Sequence, residues 1–231
     1  MDAIFMFAVV IVLFIGVAIW GVKQNQKRQA ELAAWAQSQG WQYTRDDKTL
    51  LRRWPVAPFL AGRGNSPSAR NVMWGPAQTA RGETRQALTF NYSYVVTSGS
   101  GDNSSSTSYS HHVTCVFLGS NTPVLELTPE GIGSKFAKAF GGQDIQFESA
   151  DFNDRWRIQS ADLRFAHAII NPQMMEHLMQ PHYGGVRLTF AGDCVMIHNN
   201  RTLDVAAVVP MLAICNDVID RIPAYVLEDY S

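Results

Sequence analysis

Several features common in secreted domains and metalloenzymes are missing from this chain of 231 residues. It has only three cysteines, Cys115, Cys194 and Cys215, an odd number whose spacing matches neither a disulfide framework nor a zinc site. Each lies in an apolar stretch, where a free thiol behaves as a small buried hydrophobe. The cysteines therefore predict a reducing compartment and no disulfide-stabilised fold.

Short motifs of known chemistry are also absent. The sequence has no Gly-x-Ser-x-Gly elbow, no His-Glu-x-x-His helix, no phosphate loop and no Gly-x-Gly-x-x-Gly turn. His111 and His112 are neighbours on a predicted strand, so their side chains point to opposite faces. His177 and His182 have a zinc-finger-like separation, but no cysteine pair accompanies them and Pro181 lies between them. The sequence thus predicts no catalytic residue, no metal ligand and no cofactor.

Charge and proline are missing from the segment between Ala3 and Val22. A helix rises about 1.5 Å per residue, so these twenty residues span roughly 30 Å, the thickness of the hydrocarbon layer. A cleaved signal peptide is the alternative, but it needs a basic start and a small-x-small cleavage site, and neither is present. We predict a transmembrane anchor over residues 1–22.

Basic residues follow the anchor at once. Residues 23–53 carry seven basic and three acidic side chains, whereas residues 54–231 carry a net charge of −4. Basic flanks stay on the cytoplasmic side, where anionic lipids attract them. The pattern predicts a single-pass protein of the cell membrane, with its N-terminus outside and its folded domain on the cytoplasmic side. A pI near 6.6 and the acidic distal domain argue against nucleic-acid binding.

Six side chains near the anchor are candidates for contact with the membrane interface, where cations and amphipathic rings settle. They are Lys23, Lys27, Arg28, Arg52, Arg53 and Trp54. An alternative holds for the segment 52–59, because a proline-bounded loop can also pack Trp54 and Phe59 on a core.

A juxtamembrane helix is predicted over residues 23–40, which are rich in Ala, Gln, Glu and Lys and end at Gly40, a typical helix stop. Strand patterns begin at Trp41. The clearest is Gln86–Val96, in which aromatic and aliphatic residues alternate with polar ones. Further strands are predicted at 41–44, 71–74, 112–118, 124–128, 145–148 and 156–159. Val186–Phe190 and Cys194–His198 are predicted to flank a short hairpin connection at 191–193.

Helices are predicted at 132–140, at 162–170, from 172 to 179 and at 203–222, the last with a wide apolar face that suits packing on a sheet. Because the strands connect by hairpins, residues 41–231 are expected to form one α+β domain. Its mainly antiparallel, curved sheet would be packed by the C-terminal helix, and a pleckstrin-homology-like barrel is a variant of this arrangement. Residues 97–108 contain no aliphatic or aromatic side chain, which predicts a flexible loop.

The chain resembles a known group of proteins along nearly its whole length. The motifs that carry the resemblance are LAAWAQSQGWQYTRDD, RRWPVAPF, ARNVMWG, LELTPEG, DIQFESADFNDRWRI and NPQMMEHL. They are similar to those of uncharacterised single-pass membrane proteins of high-GC Gram-positive bacteria. The resemblance implies a topology and no catalytic residue.

The leading interpretation is a membrane-anchored, non-enzymatic interaction module that serves as an accessory subunit or docking partner of a larger membrane complex. Its expected partners are membrane lipid and a membrane protein. A lipid-binding domain at the inner leaflet is the alternative. A hydrolase with dispersed Ser, His and Asp residues is the least favoured, since it needs a histidine within hydrogen-bond reach of a Ser or Cys.

Overall fold

A single long helix opens the chain and ends inside the folded domain. The computed structural model describes residues 2–63, 65–99, 104–130 and 143–230. Helix α1 covers Asp2–Ser38, which corresponds to about 55 Å. It ends as predicted, with Gly40 at a φ of +70° and the Trp41 amide donating to the Ala36 carbonyl. Residues 23–38 are therefore helical and continue the N-terminal helix without a break.

The last turns of α1 belong to the core of the domain. Leu32 and Ala36 are buried, Trp35 packs edge-on against Trp41, and the Trp41 indole donates to the Pro76 carbonyl. A domain boundary at residue 41 would therefore cut through packed residues. In the part of the chain that the structure describes, no helix has the length and apolar character needed to cross a membrane.

The strands of the described residues form one antiparallel sheet. They are β1 Gln42–Asp46, β2 Ser68–Gln78, β3 Thr84–Ser98, β4 Ser105–Pro129, β5 Gln143–Ile145, β6 Trp156–Ser160 and β7 Leu188–Asn199. The order is β1-β2-β3-β4-β6-β5, and β7 also pairs with β4. Since β7 runs along most of β4, β3 and β6 share the opposite edge of that strand, one after the other.

The sheet is open among the described residues, because β1 pairs only with β2 and β5 only with β6. The α+β class and the mainly antiparallel sheet are thus confirmed, whereas the closed barrel variant is wrong for this part of the chain. Strand β4 joins two segments that the sequence predicted as separate strands, 112–118 and 124–128.

The predicted hairpin at 191–193 is wrong. Residues 188–199 form one continuous strand in which Gly192, at a φ of +63°, lies opposite Thr122 at a register shift. The Thr122 hydroxyl donates to the Gly192 carbonyl at 2.9 Å. Before the shift Leu188 and Phe190 face one side of the sheet, and after it Val195 and Ile197 do. An irregularity that adds one residue changes the parity of a strand without ending it.

The helices pack mainly on one face of the sheet. They are α2 Phe59–Gly62, α3 Ala150–Arg155, α4 Leu163–Ile169, α5 Pro172–Leu178, α6 Val205–Ile219 and α7 Ala224–Glu228. Asp162, Asn171 and Asp204 cap α4, α5 and α6 by accepting from backbone amides. Packing of the C-terminal helix on the sheet is confirmed, since Val208, Met211 and Cys215 of α6 are buried in the same cluster as Val116.

Apolar residues are buried on both faces of the sheet. One cluster contains α1, α3–α7 and side chains such as Leu125 and Phe190. The other lies under the segment 50–63 and contains Trp54, Phe59 and Tyr92. Both faces of β3 are consequently buried at Phe90 and at Thr89, although the alternating pattern predicted a half-buried strand.

Two predictions, the loop at 97–108 and the helix at 132–140, include residues that the structure does not describe. The strand pairing of β3 and β4 continues through Thr97 with Ser106 and Ser98 with Ser105, so residues 97–98 and 105–108 of the predicted loop are paired strand. Hydroxyl contacts of 3.0 and 3.1 Å join the same pairs. Residues 100–103 and the helix predicted at 132–140 lie outside the described residues.

Candidate functional site

A polar cleft of about 810 Å³ lies between α1 and the turn that leads into α6. It lies beside the predicted membrane flank. Its lining comes from Gln24, Asn25, Lys27, Arg28, Glu31 and Leu32 on α1 and from residues 202–205 opposite them. The cleft therefore contains two of the six predicted interface residues, Lys27 and Arg28.

Hydrogen bonds hold the two walls of the cleft together. The Arg28 guanidinium donates to the Leu203 carbonyl at 2.5 Å, and the Leu203 amide donates to Asn91 Oδ1 at 2.6 Å. Asp204 accepts from the Ala206 amide at 3.0 Å and so fixes the start of α6. The wall formed by residues 202–205 is therefore hydrogen-bonded to β3 through Asn91, and this buried contact helps to fix the shape of the cleft.

The charges around the cleft balance. Lys27 and Arg28 face Glu31 and Asp204, and the Lys27–Glu31 contact of 3.9 Å joins two exposed side chains. Such exposed pairs contribute little to stability, so these groups stay available for other partners. Amide, guanidinium and carboxylate side chains together offer donors and acceptors for hydroxyl groups. The lining suits a neutral or zwitterionic polar group better than a polyanion.

The part of α1 that precedes the cleft has an exposed apolar surface. Among the α1 side chains that the structure describes, nine large apolar ones are exposed: Phe7, Ile11, Leu13, Phe14, Ile15, Val17, Ile19, Trp20 and Val22. Contiguous exposed apolar surface of this kind marks a protein or membrane contact. The cleft begins two residues beyond this surface, at Gln24.

The six predicted interface residues do not lie together. Lys23, Lys27 and Arg28 are exposed on α1, and Arg52 is exposed on the segment that covers the second face of the sheet. Arg53 instead pairs with Asp193 at 2.6 Å, and its guanidinium lies 5.0 Å from the rings of Trp54 and Phe117. Trp54 is only 2 % exposed, so the packing alternative describes this ring.

A second polar cluster lies on the far end of α6, and sequence reasoning missed it. His177 Nε2 lies 2.5 Å from Asp217 Oδ2 and 2.6 Å from the Tyr183 hydroxyl, which itself lies 2.6 Å from Asp217 Oδ2. Arg221 donates to the other oxygen of Asp217. His177 and Asp217 are forty positions apart in the sequence, so only the packing of α5 against α6 reveals the cluster.

Electrostatics keep the carboxylate of this cluster ionised. Burial alone would raise the pKa of Asp217, but hydrogen bonds from Tyr183, Arg221 and His177 outweigh it and hold the pKa below its usual value. Burial and the neighbouring carboxylate raise the pKa of the Tyr183 hydroxyl well above its usual value. Tyr183 is therefore a protonated donor at neutral pH.

Three further histidines are buried in the sheet. Burial lowers the pKa of His111 and His112 to about 4 and that of His198 to about 3. His112 Nε2 lies 2.9 Å from the Thr89 hydroxyl. These rings are therefore neutral at physiological pH.

The fold has a counterpart among solved structures. It is similar to the crystal structure of the mycobacterial trehalose monomycolate transport factor A, TtfA, with a TM-score of 0.52 and 16 % sequence identity. The match covers 84 % of this chain and 96 % of that one. At such an identity the likeness establishes the fold alone. No protein-family model matches the chain, and no curated protein does.

Proposed function

We propose that this protein is a membrane-anchored accessory subunit of a lipid-transport assembly. The observation that carries the proposal is the continuity of α1, whose exposed apolar part runs without interruption into turns buried in the domain. An apolar helix fixed in this way orients the cleft and does not merely tether it. The name of the structurally similar protein, a trehalose monomycolate transport factor, supports lipid transport as the setting.

The anchor itself is part of the proposal and rests on the uncharged run from Ala3 to Val22. Basic residues after it support a cytoplasmic location for the folded domain, by the positive-inside rule. The protein is then a single-pass protein of the cell membrane, with its N-terminus outside. Lys23 and Lys27 lie at the inner surface in this arrangement, next to anionic headgroups.

Membrane fractionation tests the anchor. The full chain should stay in the membrane pellet after alkaline carbonate extraction, whereas a chain that begins at Lys23 should be released. Protease added to intact spheroplasts should leave the domain uncut and should digest it after permeabilisation. Release of the full chain by carbonate, or cleavage of the domain from outside, contradicts the proposed topology.

Purification in mild detergent tests the accessory role. The C-terminally tagged full chain should bring a membrane protein with it in a fixed ratio. Asn25→Arg places a large charged side chain in the cleft and should reduce that recovery, while Gln37→Arg, on an exposed position of the same helix, should not. Recovery of this polypeptide alone from the native membrane contradicts the proposal.

Lipid binding at the inner leaflet is a second candidate, favoured by the position of the cleft next to the basic flank. Residues 23–231 should bind vesicles with anionic lipid at low salt, and Lys27→Glu or Arg52→Glu should weaken that binding. Glu31→Gln, which removes a negative charge from the same helix, should not weaken it. Arg53 is unsuitable for this test because its replacement by Glu would put two carboxylates together at Asp193. Absence of binding at low salt contradicts this candidate.

A further inference from the structure

We propose that His177, His182 and Asp217 form a binding site for a divalent transition-metal ion, with Zn²⁺ as the best chemical fit. Each residue offers one ligand atom, and these atoms lie within 4.8 Å of one another. Ligands at about 2.0–2.1 Å from a tetrahedral zinc ion are roughly 3.3 Å apart. The three side chains can thus converge on one ion through small rotations.

The number of protons at the cluster favours an ion. His177 Nε2, the Tyr183 hydroxyl and Asp217 Oδ2 make three mutual contacts of 2.5–2.6 Å. The Tyr183 hydroxyl and His177 Nε2 can each carry at most one hydrogen, and the Asp217 carboxylate oxygen acts as an acceptor. Two protons cannot occupy three contacts. A cation that takes the lone pairs of His177 Nε2 and Asp217 Oδ2 removes that deficit.

Neighbouring groups orient the ligands as metal sites require. The amide nitrogen of Gln180 lies 3.3 Å from the other nitrogen of His177, Nδ1, and a half-turn of that amide would instead place its oxygen there to accept a proton from Nδ1. Nε2 is then free to bind the ion. Arg221 holds the second oxygen of Asp217, which leaves Oδ2 as a single ligand atom. Two imidazoles select transition metals over Mg²⁺ and Ca²⁺, which prefer oxygen ligands.

The site is reachable from solvent. His182 is exposed, and it lines a cleft of about 280 Å³ together with Asp217, Asn216 and Asp220. Its ring lies 6.1 Å from that of His177, measured between centroids. A bound ion would join the turn after α5 to α6 and leave a coordination position for water. The site is separate from the cleft beside α1, so its test does not depend on any partner.

Metal titration of the full, untagged chain in detergent tests the proposal after treatment with a chelator. Co²⁺ should give the visible absorption of a tetrahedral site at one equivalent, and Zn²⁺ should displace it. His182→Ala should weaken binding about tenfold or more, as should Asp217→Asn. His167→Ala, which removes an exposed histidine elsewhere, should bind as the unchanged chain does.

Thermal unfolding distinguishes a loss of metal binding from a loss of folding. Because His182 is exposed, His182→Ala should melt at the same temperature as the unchanged chain in chelator and should lose only the rise that Zn²⁺ produces. If the unchanged chain takes up neither Co²⁺ nor Zn²⁺, the proposal is wrong. It is also wrong if His182→Ala and His167→Ala bind the ions equally well.

Discussion

At the scale of single residues, the ion pair between Arg85 and Asp220 has a large expected effect on stability. Their charged atoms lie 2.7 Å apart, and the side chains are 18 % and 7 % exposed. Arg85 also donates to Asn216 at 3.2 Å, so it joins β3 to the end of α6. Removing one partner of a buried pair leaves the other charge without compensation.

We therefore expect Arg85→Ala to lower the free energy of unfolding by about 3 kcal/mol. Urea unfolding of residues 23–231, followed by circular dichroism, measures the change. Lys27→Ala removes a charge from the exposed pair with Glu31 and should change stability by less than about 0.5 kcal/mol. Equal effects of the two substitutions would show that Asp220 does not need Arg85.

The buried histidines make stability depend on pH. The pKa of His112 is about 4 in the folded protein, below its usual value of 6.5, because burial disfavours the charged ring. The unfolded chain therefore takes up a proton between pH 6.5 and 4 that the folded chain refuses. The contribution of neutral, buried His112 to the free energy of unfolding is complete above pH 6.5 and is lost as the pH falls towards 4.

His112→Gln should flatten this pH dependence. The amide can replace the contact with Thr89 and has no proton to gain, so the unfolding free energy of the variant should fall less between pH 6.5 and 4 than that of the unchanged chain. Urea unfolding at several pH values measures both slopes. His167→Ala, at an exposed position, should retain the original slope. A His112→Gln slope identical to the original would mean that this ring titrates alike in both states.

At the scale of elements, local sequence patterns predicted individual strands and helices, but they could not predict the register shifts between β4 and β7. The alternation over 86–96 and the patterns that predict helices at 162–170 and 172–179 are local signals, and the structure has a strand and two helices at these places. The two strands predicted in place of β7 differ in which positions are buried against the helices. These positions are even-numbered before the irregularity, as at Leu188, and odd-numbered after it, as at Val195. Only the partner strand, which shifts at the same place, shows that they are one element.

Gly192 should be costly to replace. Its φ of +63° is unfavourable for other residues by about 1–2 kcal/mol, and a Cβ there would lie 3.1 Å from Asn121 Oδ1. We expect Gly192→Ala to lower the unfolding free energy by about 2 kcal/mol. Gly119→Ala, at a φ of +75° with open space around it, isolates the backbone part of that cost and should lose less. Urea unfolding of both variants tests this, and a neutral Gly192→Ala would rule out the strained backbone.

The candidate sites differ in how far the sequence could predict them. Lys27 and Arg28 were predictable because basic residues beside an apolar run form a local pattern. The other wall of the cleft, at 202–205, and the meeting of His177 with Asp217 depend on the packing of α6 against distant elements. A contact between residues forty positions apart leaves no periodic signal in a single sequence.

At the scale of the whole molecule, the end of α1 acts as part of the domain. Leu32 is 5 % exposed and Ala36 is fully buried. Arg28 donates a hydrogen bond to the carbonyl of Leu203, in the turn between β7 and α6. Full burial of a leucine side chain is worth about 1.5–3 kcal/mol. If the apolar part of α1 lies in a membrane, this packing transmits its orientation to the sheet and the cleft.

A chain that begins at Trp41 should therefore be less stable than one that begins at Lys23, by about 3 kcal/mol or more, because it loses the burial of Leu32, Ala36 and part of Trp35. Leu32→Ala in the longer chain should account for about 2–3 kcal/mol of this difference, since it leaves a cavity under the helix. Gln37→Ala, exposed on the same turn, should have little effect. Urea unfolding compares the four chains directly. Equal stability of the two truncated chains would mean that α1 contacts the domain without stabilising it, and the helix would then act as a tether and not as an orienting support for the cleft.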